Sequence, residues 1–121
     1  MTVSNPIERA VRIRLAPEWY RVHPLWVWTP DDPIPANVDP SDLVGGSGVS
    51  PALCADIAAW DDEFQVTFLP DDPAESGFAD EAAAQRWDQR GQALAGRLAR
   101  ELGPEVAVEF SGRDGVVAVR A

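Results

Sequence analysis

The stretch Phe78-Ala-Asp-Glu-Ala-Ala-Ala-Gln-Arg-Trp87-Asp-Gln-Arg-Gly91-Gln-Ala-Leu94-Ala-Gly-Arg-Leu98-Ala-Arg-Glu-Leu102-Gly103-Pro104 decides the fold. Trp87, Gly91, Leu94, Leu98 and Leu102 recur every three or four residues and form one apolar stripe, with Ala83, Ala84 and Ala95 beside it. Asp80 and Glu81 place carboxylates at the positive end of the helix dipole, Arg86, Arg90, Arg97 and Arg100 fall mostly on the solvent side, and Gly103-Pro104 is a stop. A long amphipathic helix with one apolar stripe needs a second layer to cover it.

Downstream of this helix, Val106, Val108 and Phe110 alternate with Ala107 and Glu109. Ser111 to Gly115 supplies turn residues and Val116 to Val119 returns, which reads as a hairpin. Upstream, Ser50-Pro51 is an N-cap followed by proline at the first helical position. Leu53, Ile57, Trp60 and Phe64 then share a stripe over about four turns, leaving Asp56 and Glu63 outward. Phe64 to Phe68 either starts a short strand or continues the helix. At the N-terminal end Val-Arg-Ile-Arg-Leu (Val11 to Leu15) alternates strictly and predicts a half-buried strand, ended by Pro17. A short strand is expected near Leu25 to Trp28, after the break at Pro24.

Two segments read as acidic, Pro/Gly-rich loops. In Thr29 to Val49 the prolines remove backbone donors and fix φ, which argues for a surface loop; Leu69 to Gly77 repeats the chemistry. Pro30-Asp31-Asp32-Pro33 and Pro70-Asp71-Asp72-Pro73 are identical, and are read as one kind of turn used twice. The expected class is α+β: a three- to four-stranded, mainly antiparallel sheet packed against two helices, in a single domain over residues 1–121.

The chain is acidic, with a net charge of -10, and its ten basic residues are all Arg, a usage that codon bias in a GC-rich bacterium would produce. Thirteen carboxylates lie between Val22 and Gln85 and no Lys or Arg does. Such a field repels nucleic-acid backbone and anionic membrane and attracts a basic protein. The lone Cys54 cannot form an internal disulfide, which fits a reducing compartment. The N-terminal segment has charges interrupting each apolar run, so a cytoplasmic protein is expected.

No catalytic motif stands out. Gly45-Gly46-Ser47-Gly48-Val49 lacks the final glycine of a nucleophile elbow, and His23 is the only imidazole. Asp31-Asp32 and Asp71-Asp72 lack the alternate spacing of a calcium loop, so no metal or cofactor is implied. The candidate partner-binding residues are Asp31, Asp32, Asp39, Asp42, Asp56, Asp61, Glu63, Asp71, Asp72 and Glu75, with Trp26 and Trp28 as aromatic anchors. This reading requires the acids to gather in one patch. Trp60 and Trp87 read as core, whereas burial of Trp19, Trp26 and Trp28 is left open, as is the oligomeric state. The alternative is a small hydrolase or metal-dependent enzyme using carboxylates beside His23 and Trp28.

The order of motifs resembles immunity-type proteins that accompany secreted bacterial toxins. A leading strand is followed by Pro24-Leu25-Trp26, by Asn-x-Asp-Pro-x-Asp-Leu (Asn37 to Leu43), by a Ser-Pro-capped helix ending in Trp60 and Phe64, and by a Trp87 helix closing in Glu101-Leu102-Gly103. The Gly45 to Gly48 insert departs from that pattern. The resemblance implies a non-enzymatic inhibitor that binds a partner protein, and it carries over no functional residue.

Overall fold

The computed structural model describes residues 9–19, 22–43, 48–72 and 76–120. Its elements are β1 (Arg12–Leu15), β2 (Leu25–Thr29), β3 (Asp32–Val38), a 3-10 turn (Pro40–Leu43), α1 (Pro51–Gln65), α2 (Glu81–Leu102), β4 (Ala107–Gly112) and β5 (Gly115–Val119). The five strands form one sheet in the order β3-β2-β1-β4-β5. Three pairings are antiparallel, and β1 runs parallel to β4. A parallel neighbour needs a crossover, and the segment holding both helices supplies it.

The class is therefore α+β with two helices, but the sheet is mixed and has five strands rather than the three or four expected. The added strand is β3, inside the segment read as a proline loop. Its prolines are compatible with a strand because β3 is at the sheet edge. Between Val27 and Thr29 of β2 the partner strand steps from Ala36 to Asp32, so Pro33 to Pro35 fall in the irregular part of the pairing. A proline at an edge or bulge removes no ladder bond.

Each helix boundary has a local cause. Ser50 Oγ accepts from the Leu53 N–H (3.2 Å) at the start of α1, and Asp80 Oδ1 accepts from the Ala83 N–H (2.7 Å) at the start of α2. Gly103, at φ +88, ends α2 in a conformation that glycine adopts freely. Past Gln65 the chain turns, so Phe64 to Phe68 continues the helix and then leaves it without forming a strand. Pro30-Asp31 and Pro70-Asp71 both lie in turns, as the shared tetrapeptide suggested.

One sheet face carries the core. Ile13, Leu15, Leu25, Val27, Val108 and Phe110 are buried against Leu53, Ile57, Trp60, Trp87, Leu94 and Leu98. Cys54 is buried there as a small apolar residue. The seam between the helices is an indole pair: Trp60 and Trp87 stack with centroids 4.3 Å apart and planes 7° off parallel. Each indole N–H donates to the other residue's carbonyl, at 2.9 and 3.0 Å. Both rings are thus buried with their one donor satisfied. Gly91 makes room for them, since a Cβ there would stand 2.7 Å from Phe110 Cε1 and closer still to the Trp60 ring.

Among the described residues no helix lies over the opposite face of the sheet. Alternation from the buried residues puts Arg12, Arg14, Trp26, Trp28 and Glu109 on that side.

Candidate partner-binding surface

Three segments meet where β2 begins, β3 ends and α1 finishes, and they enclose a cleft of about 200 Å³. Its walls include His23, Asp39, Asp61, Asp62 and Gln65, with no arginine among the described lining residues. His23 is fixed through its backbone. Asn37 Oδ1 accepts from the His23 N–H (2.8 Å), and Asn37 Nδ2 donates to the His23 and Leu25 carbonyls at 2.6 and 3.1 Å. The ring itself is half exposed, with Nδ1 3.8 Å from Asp39 Oδ2.

Asp39 opens the 3-10 turn. Its Oδ1 accepts from the Ser41 N–H (2.9 Å) and Oγ–H (3.0 Å), and the backbone bond chiefly holds its carboxyl below the usual 3.8. Asp61 is pushed the other way. Burial raises its pKa above 3.8, Asp62 and Asp39 add to the rise, and a hydrogen bond from Gln65 Nε2 (3.1 Å) and the His23 charge oppose it. Gln65 also donates to the Glu18 carbonyl (2.7 Å), which anchors the end of α1 to the β1–β2 connection. The cleft therefore holds convergent carboxylates, one of them partly desolvated, and a cation placed among them would relieve their repulsion.

The other candidate acids are distributed elsewhere. Asp31 pairs with Arg9, Asp56 with Arg97 (2.7 Å), and Glu63 with Arg90 through two bonds of 2.7 and 2.8 Å. Glu81 likewise meets Arg113. The acid-only stretch of sequence is thus partly neutralised by guanidinium groups from outside it, so the acids do not gather in one undivided patch. Asp32 Oδ1 accepts from the Ile34 N–H (2.9 Å) at the start of β3. Asp42, Asp71 and Asp72 are exposed, and Glu75 lies outside the described residues.

Trp26 and Trp28 do not join the cleft. Trp26 Nε1 donates to the Ala16 carbonyl (2.9 Å), and both rings are half-buried on the open sheet face. Arg12 and Arg14 sit over the Trp28 ring, with Cζ 4.0 and 5.0 Å from its centroid, and Arg14 Nε donates to Glu109 Oε1 at 3.0 Å. Trp19 is also half-buried, stacked on Phe64 and donating to Thr67 Oγ1 at 3.2 Å. The pocket expected of a hydrolase, with Trp28 beside His23, is not formed, because Trp28 is absent from the cleft wall. Among the described residues no group of three or more His, Cys, Asp or Glu is arranged to hold a metal ion, and no helix is long and apolar enough to cross a membrane.

A family model described as Serratia CdiI immunity protein-like matches residues 11–113. The chain belongs to that family. No curated protein matches it. The matched span of this CdiI-like immunity chain runs from just before β1 through β4, and so contains both the cleft and the open sheet face. Reading the sequence residue by residue found Asp39 and Asp61 but passed over Asp62, Gln65 and His23 as binding residues. Asp62 adjoins Asp61 on the helix, and His23, the only imidazole in the sequence, entered the reading only as the centre of the alternative enzyme site. Arg12 and Arg14 were placed on a common strand face, yet nothing local showed that Trp28 would lie beneath them.

Proposed function

We propose that this protein is a non-enzymatic immunity-type inhibitor that acts in the cytoplasm and holds a basic surface of its toxin in the cleft formed by His23, Asp39, Asp61 and Asp62. The observation that carries the reading is the convergence of Asp39 with Asp61 and Asp62, from two separate segments, with no guanidinium among the described lining residues, in a chain where Asp31, Asp56 and Glu63 are already ion-paired. Membership of the immunity-protein family supplies the class of partner. Like charges brought together and partly desolvated are costly in the free protein, and a Lys or Arg of the partner offsets that cost on binding. The exposed Asp32, Asp42, Asp71 and Asp72 extend the field, which speeds encounter, while buried apolar contact governs dissociation.

The test is calorimetric titration with the product of the neighbouring gene at low and high salt. Asp61→Asn with Asp62→Asn is expected to weaken binding about 10- to 100-fold and to flatten the salt dependence. Unchanged affinity in that variant, together with salt-independent binding of the natural protein, overturns the reading. Loss of binding in Trp28→Ala alone would move the interface to the open sheet face.

A further inference from the structure

The two edges of the sheet are built differently. At β3 the edge is blunted by Pro33, Pro35, Asp32 and the irregular pairing between them. At β5 the edge strand is Gly115-Val116-Val117-Ala118-Val119, without a charge, a proline or a bulge. Val116 and Val117 are 47% and 37% exposed, because α2 packs chiefly on β4 and leaves this strand uncovered. A straight apolar edge of this kind is a template for another strand.

We infer that β5 pairs antiparallel with β5 of a second copy of this chain, with Val117 opposite its own counterpart on the two-fold axis. Two independent features select that occupant and that register. The first is the direction of the backbone groups. Gly112 faces Gly115 across the two-residue turn Arg113-Asp114, so the ladder closes on that pair. Alternation then directs the N–H and C=O groups of Gly115, Val117 and Val119 toward β4 and those of Val116 and Ala118 outward. With Val117 on the axis, Val116 of each copy faces Ala118 of the other, and the outward groups meet outward groups.

The second feature is charge. Continued one residue past each end of the strand, the same register brings the turn residue Asp114 of each copy near Arg120 of the other, and symmetry makes the match twice. Neither residue has an ion-pair partner among the described residues. A copy of this chain is thus complementary to its own edge strand at both ends. The paired edge lies across the sheet from β2 and β3, beside which the acidic cleft sits, so both clefts stay open in the dimer. The strand also lies beyond residue 113, where the family match ends.

Sedimentation equilibrium of the full chain, from micromolar to millimolar concentration, tests this. A monomer–dimer equilibrium is expected. Ala118→Pro is expected to abolish it without lowering the thermal midpoint, because the lost N–H bonds nothing within the monomer. Asp114→Arg alone and Arg120→Asp alone should each weaken association about tenfold, and the two together should restore it. A monomer at all concentrations overturns the inference, as does a dimer indifferent to Ala118→Pro or a double exchange no better than the single ones. Protection of the outward Val116 and Ala118 amides only when the toxin is bound, with a monomeric free protein, also overturns it and gives the edge to a different occupant.

Discussion

Trp60 and Asp61 are adjacent in one helix turn, yet they belong to opposite kinds of surroundings. On the Trp60 side every group is matched: two stacked indoles exchange hydrogen bonds with each other's carbonyls, and Gly91 leaves the space they fill. On the Asp61 side the groups are mismatched. Carboxylates crowd one another, burial raises the Asp61 pKa, and one glutamine amide opposes it. A satisfied seam is what stability selects, whereas a site short of counter-charge is what a partner completes.

The comparison is broken most severely by Trp60→Ala. Truncation removes a nearly fully buried ring and leaves the Trp87 carbonyl and indole contacts unmade, so a loss of about 4 kcal/mol is expected in urea unfolding. Gly91→Ala acts in the opposite sense of volume. The added methyl strikes the Trp60 and Phe110 rings, and overpacking should cost about 2 kcal/mol while leaving the binding proposed for the cleft unchanged.

Asp61→Asn gives the smallest effect and the opposite sign. Because the folded pKa of Asp61 is raised, its favourable contribution is present below its ordinary value of 3.8 and is lost as pH rises through the folded value. The variant should therefore be slightly more stable than the natural protein at neutral pH, by less than about 1 kcal/mol, with the difference vanishing as pH falls toward 3.8. Asp39 and Glu101 behave in reverse. Their pKa values are depressed, each mainly by a backbone hydrogen bond from a serine, so the stability they give at neutral pH is lost as pH falls through those depressed values. Unfolding midpoints measured from pH 3 to pH 7 separate the two behaviours. A destabilised Asp61→Asn at pH 7 would show the cleft to be as well matched as the seam.

Much of the fold is legible residue by residue because its signals are local. Ser50 and Asp80 cap the helices that follow them, the Trp87 to Leu102 stripe is a helical period, and the alternations at Val11 to Leu15 and Val106 to Phe110 are strand periods. Strand β3 escaped this reading. Proline is evidence against a central strand, and nothing within Asp32 to Val38 states that the strand will lie at an edge. The site was half legible for a related reason. Composition located the acids, but only the packing of α2 and the N-terminal segment decided which of them meet an arginine.

Sequence alone determined the helices and their caps, the apolar faces, the class and the excess of negative charge, since each depends on spacing along the chain. Tertiary structure alone decided that Arg90 and Arg97 neutralise Glu63 and Asp56, that Trp28 lies under Arg12 and Arg14, and that Asp39, Asp61 and Asp62 line one cleft with His23. Charge acts through distance in space, and residues far apart in the chain become neighbours only when the sheet and the helices close on one another.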